Sequence, residues 1–127
     1  METLCKHLLL ELRGCDSEAL NDLEVVERAL RAAAEAAGAT VVQSVFHRFS
    51  PHGVTGVVVL EESHFSVHTW PESGYAAADF FTCGECRPEL AVALLEAELR
   101  AESVEVMAVD RGVNEGGRSI VLRYHRG

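Results

Sequence analysis

Residues 54–82 read VTGVVVLEESHFSVHTWPESGYAAADFFT, and the reading of this stretch decides the fold. Its middle alternates cleanly. Phe65, Val67 and Thr69 fall on one side of an extended chain, and His64, Ser66, His68 and Trp70 fall on the other. That period of two predicts a strand from His64 to Trp70. Upstream, Val54 to Leu60 is nearly all apolar, which predicts a strand that is central or buried on both faces. Pro71-Glu72-Ser73-Gly74 is a turn, and Tyr75 to Thr82 is a further strand.

The pattern continues outward on both sides. Thr40 to Phe49 is a strand, closed by the turn Ser50-Pro51-His52-Gly53. Residues 3–13 form another, with Leu4, Leu8, Leu10 and Leu12 spaced around His7 and Glu11. Between these two strands, Ala19, Leu23, Val26, Leu30, Ala33 and Ala37 recur in steps of three and four. They mark one helix, capped by Asp16 or Ser17 and ended by Gly38. Pro88 opens a second helix that runs to about Arg100. Its expected buried stripe is Leu90, Ala93, Leu94 and Ala97, with Leu95 and Leu99 beside them. Ser103 to Val109 is a strand, Asn114-Glu115-Gly116-Gly117 a loop, and Ile120, Leu122 and Tyr124 mark a last strand. The order β-α-β-β-β-β-α-β-β predicts an α+β fold, a two-layer sandwich of antiparallel sheet with two helices on one face. The other face then needs a cover, and a second copy of the chain is the simplest one.

Composition bounds the function. The 127 residues make one domain, and 48% of them are hydrophobic, enough for a core. Asp and Glu number 20 against 11 Lys and Arg, a net charge of −9 that repels phosphates and argues against nucleic acid. No apolar run reaches membrane-spanning length, and the first residues lack the pattern of a signal peptide. The expectation is a cytoplasmic protein whose four cysteines are reduced thiols.

Functional side chains crowd into residues 61–84, and several chemistries compete there. His64 and His68 share a strand face but stand about 13 Å apart, too far to ligate one metal ion. Cys83-Gly84-Glu85-Cys86 is a C-x-x-C pair, a weak sign of redox or zinc chemistry, which otherwise reads as a reduced pair at a strand end. Ser63 or Ser66 with His68 offers a hydrolase pair, without the usual G-x-S-x-G elbow. In a fourth reading Ser63 attacks its own chain. A strained backbone and an oxyanion donor would let its hydroxyl take the carbonyl of Glu62. The resulting ester eliminates to a dehydroalanine, which hydrolyses to a pyruvoyl ketone, an electron sink made from the protein.

Spacing alone selects none of these. Glu62-Ser63-His64-Phe65-Ser66-Val67-His68-Thr69-Trp70-Pro71-Glu72, followed by Gly74-Tyr75-Ala76-Ala77, Asp79 and Phe81-Thr82-Cys83-Gly84, resembles the signature of the small prokaryotic S-adenosylmethionine decarboxylase proenzymes. His47-Arg48-Phe49-Ser50-Pro51-His52-Gly53-Val54-Thr55-Gly56-Val57-Val58-Val59, Lys6-His7-Leu8 and Gly38-Ala39-Thr40 extend the likeness, which runs from about residue 3 to 110. The resemblance implies a pyruvoyl-dependent lyase, working through a Schiff base on S-adenosylmethionine and supplying the aminopropyl donor for spermidine. It implies self-cleavage between Glu62 and Ser63 into chains 1–62 and 63–127, with Ser63 becoming the pyruvoyl group. By the same likeness His68 is the base that lets the ester eliminate, and Cys83 is the acid that returns a proton to substrate. Phe49 stacks on adenine, Glu72 binds the ribose hydroxyls, and the hydroxyl of Thr55 assists processing. The family's small members are homodimers of the processed unit with sites across the interface, and no metal or putrescine is expected. Two positions depart from the pattern: Thr55 stands where serine is usual, and Cys5-Lys6-His7 stands where Gly-Arg-His is frequent. The alternative on the same scaffold is a pyruvoyl decarboxylase of arginine or ornithine.

Overall fold

In the computed structural model, which describes residues 3–113 and 119–126, each apolar alternation becomes a strand with one face turned to helices. The strands are β1 (Thr3–Arg13), β2 (Val41–Arg48), β3 (Val54–Leu60), β4 (Ser63–Trp70), β5 (Tyr75–Cys83), β6 (Ser103–Val113) and β7 (Ser119–Arg126). They form one antiparallel sheet in the order β2-β3-β4-β5-β1-β6-β7. The helices are α1 (Ser17–Leu20), α2 (Leu23–Ala36) and α3 (Pro88–Glu98). The architecture is the α+β sandwich expected, with α2 and α3 packed together on one face.

The core lies between that face and the helices. Leu8, Leu10 and Leu12 of β1, Val58 of β3, Phe65 and Val67 of β4, and Ala76, Ala78 and Phe80 of β5 meet Val26, Leu30 and Ala33 of α2 and Val92, Leu95 and Leu99 near α3. Phe65 and Phe80 are cross-strand partners whose rings stack at 4.6 Å. Burying each such ring stabilises the fold by about 1.5–3 kcal/mol. Thr69 and Thr82 are the buried polar residues on this face, and Thr69 shows how such a group is satisfied. Its hydroxyl donates to the carbonyl of Leu20 and accepts from the N–H of Val54, both at 2.8 Å, so nothing there is left unpaired.

Three expectations need correction. The helix predicted from Ser17 to Ala37 is broken at Asn21. The carboxylate of Asp22 caps a new start by accepting from the N–H groups of Glu24 and Val25, so a second N-cap overrides the continuous stripe. On α3 the buried positions are Pro88, Ala91, Val92 and Leu95, while Leu90, Ala93 and Ala97 are exposed. That helix is apolar around most of its girth, so its periodicity does not select a face. Finally, β3 is central in the sheet, paired with β2 and β4 as one expectation had it, but it is not buried on both faces: Val58 is enclosed, while Val57 and Val59 are 38% and 41% exposed. The predicted loop 114–117 lies outside the described residues. Leu9, Val57, Val59 and Trp70 therefore share an exposed sheet face that no helix among the described residues covers.

Candidate active site

The hairpin between β3 and β4 is closed by only two residues, Glu61 and Glu62, because Leu60 and Ser63 are paired. Loops this short need positive φ, which glycine or asparagine normally supplies. Neither is present, and the positive φ falls on Ser63 at 152°. Such a conformation costs a non-glycine residue on the order of 1–3 kcal/mol. The turn is clamped on both sides. The N–H of Glu61 donates to the carbonyl of Thr40 at 3.0 Å, and a carboxylate oxygen of Glu62 accepts from the N–H of Thr40 at 3.0 Å. The backbone carbonyl of Glu62 accepts from the N–H of Cys83, also at 3.0 Å. The strained serine is thus preceded by a polarised carbonyl with a donor already aimed at its oxygen. The Ser63 hydroxyl lies 3.9 Å from the sulfur of Cys83.

Cys83 is not a free thiol. It is joined by a disulfide to Cys5, its register partner on β1. This corrects the expectation that all four cysteines are reduced. It also corrects the reading of Cys83 and Cys86 as a pair, since Cys86 stays free. The C-x-x-C spacing could not reveal this, because the partner comes from a strand 78 residues away. Burial, then the nearby carboxylate of Glu62, pushes the Cys86 thiol up, and burial lifts Cys15 to about 11.

The other expected residues gather at the far end of β4. Thr55 and His68 are cross-strand partners, and the Thr55 hydroxyl lies 3.0 Å from Nδ1 of His68. Glu72, in the 3₁₀ turn Pro71–Ser73, pairs with Nε2 of His52 at 3.0 Å. Phe49 follows β2, 47% exposed, with its ring against that of His47. Trp70 stacks on Tyr75, whose hydroxyl donates to Glu11; burial first, then that bond, pushes Tyr75 up to about 12. Ser63 and His68 are five positions apart on one strand, roughly 16 Å at strand rise. The structure therefore brings Ser63 to Cys83, and Thr55 to His68, but does not bring the two sets together within one chain. Ser66 donates to Asp79 and not to His68, which leaves the hydrolase pairing without support.

Between the two ends lies a network that sequence reasoning missed. The carboxylate of Asp79 accepts from Ser66 and lies 2.6 Å from Nε2 of His7 and 3.2 Å from Nε2 of His64. Burial would raise the Asp79 carboxyl, but the bonds from Ser66, His7 and His64 outweigh it and hold the group below its usual range. The ligating atoms of His7, His64 and Asp79 lie within 4.8 Å of one another. Arg111 stands 3.1 Å from Nδ1 of His7 and over the ring of Phe81, a positive charge that opposes a cation there. The missing signal was register: His7 and Asp79 meet only because β1 lies beside β5. Beside this network, Leu9, Glu11, His68, Tyr75, Ala77 and Met107 line an open groove of about 560 Å³.

With this geometry in place, likeness to known proteins becomes informative. A family model described as S-adenosylmethionine decarboxylase matches residues 6–112. The chain belongs to the S-adenosylmethionine decarboxylase family. An S-adenosylmethionine decarboxylase proenzyme of Methanococcus maripaludis is 52% identical over 118 residues, covering 92% of this chain and 97% of its own. One from Thermotoga petrophila is 49% identical over 113 residues, covering 88% and 87%. The crystal structure of the adenosylmethionine decarboxylase from Aquifex aeolicus superposes with a TM-score of 0.78 at 35% identity, over 85% of this chain and 90% of that one. This member of the family is accordingly an enzyme, and S-adenosylmethionine is favoured over arginine or ornithine. No helix among the described residues is long and apolar enough to cross a membrane.

Proposed function

We propose that the chain cuts itself between Glu62 and Ser63, and that two processed copies face each other to build sites that decarboxylate S-adenosylmethionine. The observation that carries this reading is the division of the expected residues. Ser63 and Cys83 lie at one end of β4, and Thr55, His68, Phe49 and Glu72 lie toward the other. A second copy packed antiparallel on the exposed sheet face would lay the His68 end of one copy over the Ser63 end of the other. Each interface would then hold two complete sites, as a two-fold pair requires.

The residues around Ser63 fit a self-made prosthetic group. Its positive φ stores strain next to the bond to be broken, and the Cys83 N–H bonded to the Glu62 carbonyl would stabilise the oxyanion. The Ser63 hydroxyl forms a C–O bond to that carbonyl as the C–N bond breaks, giving an ester. His68 of the partner subunit, oriented by Thr55 through Nδ1, takes the Ser63 α-proton. The Ser63 Cβ–Oγ bond then breaks, so Glu62 leaves as a new C-terminal α-carboxylate carrying that oxygen, water adds to the remaining alkene-amine, and ammonia departs. The pyruvoyl group so formed supplies a ketone that accepts the substrate amine and holds the electrons left when CO₂ departs. Thiol-form Cys83, close to position 63, returns a proton to the substrate carbon. Phe49 offers a face to adenine, Glu72 accepts from the ribose hydroxyls, and Phe49 or Trp70 suits the sulfonium cation. The product would serve as aminopropyl donor for spermidine in the cytoplasm, without a metal.

Denaturing mass spectrometry under reducing conditions tests the cut. The wild type should give two roughly half-sized chains, and Ser63→Ala a single species at 13.8 kDa. Active wild-type protein with an intact Ser63 would end the proposal.

A further inference from the structure

We propose that Cys5 and Cys83 form a reversible disulfide that switches the enzyme off by removing its proton donor. The inference rests on the role given to Cys83 under the proposed function. Three observations lead to it. First, the two cysteines oppose each other in the β1–β5 register, which holds their Cα atoms 4.2 Å apart when the sulfurs are joined. Second, Cys83 is the sulfur beside Ser63, at 3.9 Å from its hydroxyl. A sulfur held in a disulfide carries no proton to give. Third, Cys83 ends its strand partly exposed, next to the exposed Gly84, and in the proposed pair it faces the site that must admit substrate, so a small reagent can reach it, whereas Cys5 is 7% exposed and sheltered. This matches the division between an attackable sulfur and a resolving one.

The step balances with a low-molecular-weight disulfide as oxidant. The Cys83 thiolate attacks one sulfur of that disulfide, and a small thiol leaves with the proton Cys83 had shed. The Cys5 thiol then loses its proton and attacks the mixed disulfide at Cys83, releasing a second small thiol. Two protein thiols are oxidised by two electrons, and one small disulfide is reduced to two thiols. A small dithiol reverses the sequence. In a reducing compartment, a disulfide between a reactive and a buried cysteine is more often a sensor than a structural staple.

The cut supplies a readout independent of activity. Cys5 belongs to residues 1–62 and Cys83 to residues 63–127, so the oxidised pair ties the two product chains together. The purified, processed enzyme is equilibrated with oxidised glutathione or with dithiothreitol. Each sample is assayed for CO₂ release from S-adenosylmethionine, run on a non-reducing denaturing gel, and mapped by mass spectrometry after thiol alkylation. In oxidant, the chains should run joined, the Cys5–Cys83 peptide should appear, and turnover should fall about a hundredfold, the scale of a lost general acid. Dithiothreitol should restore both. Cys5→Ala, with Cys5→Ser as the second variant in case one misfolds, should keep turnover in oxidant within about twofold of its own reduced value, while the chains run apart. The inference is overturned if the linked wild-type enzyme turns over normally, if oxidant yields no Cys5–Cys83 peptide, or if both Cys5 variants are silenced like the wild type. An uncut chain that releases no CO₂ even in dithiothreitol refutes the decarboxylase reading itself, and the switch with it.

Discussion

Two inactive variants should restore each other if the site is shared between copies. Ser63→Ala removes the nucleophile, and His68→Ala removes the base five positions along the same strand. At about 3.3 Å per residue these groups are roughly 16 Å apart in one chain, far beyond proton-transfer reach. In a mixed pair, one site holds Ser63 from the His68→Ala copy and His68 from the Ser63→Ala copy, and is intact. The other site holds both alanines and is dead. Random pairing of equal amounts makes half of the pairs mixed, each with one of its two sites working. Co-expression should therefore recover about a quarter of wild-type activity, and cut about a quarter of all chains. Either variant alone should give neither cut chains nor CO₂. Co-expression is needed because processing must take place in the assembled pair. The assay is CO₂ release, read beside fragment masses from differently tagged copies. If mixed pairs are isolated and remain uncut and inactive, the two sets of residues do not cooperate across copies.

Further outcomes follow from the same geometry. Cys83→Ala keeps the backbone N–H that bonds the Glu62 carbonyl, so cleavage should continue while turnover drops about a hundredfold; unchanged turnover would remove its acid role. Thr55→Val loses the bond to Nδ1 of His68 and should slow cleavage about tenfold in a timed fragment assay, whereas Thr55→Ser should cleave normally. Asp79→Asn should destabilise the fold by about 1–3 kcal/mol in urea melts at neutral pH and fixed protein concentration. Because the Asp79 carboxyl is held below its usual range, its contribution is full above the unfolded value and fades as pH falls through the folded one. The gap between variant and wild type should therefore close in acid, and a gap that widens would contradict the assignment.

What the sequence disclosed depended on the range of each interaction. The strand faces of β4 were legible because alternation is local: Phe65, Val67 and Thr69 do face the helices. The helix break was written locally too, in Asp22, but a continuous apolar stripe masked it. The exposure of Val57 and Val59 was hidden because an apolar strand reads the same whether its second cover is a helix or another molecule. Ser63, His68 and Cys83 stood out through their motif, yet their division into two ends follows from strand length and register. The Cys5–Cys83 bond and the Asp79 network are products of β1 lying between β5 and β6, and no short-range pattern encodes that neighbour.

That insertion has a consequence for a chain severed after residue 62. The leading piece would own β1, β2 and β3, and the trailing piece β4 through β7. In space they interleave, because β1 is wedged among strands of the trailing piece while β2 and β3 hold the sheet's edge. Neither piece is a separable half, so parting them means unzipping both flanks of β1 as well as the β3–β4 seam. Scission would thus alter the covalent graph of the molecule and leave its architecture standing.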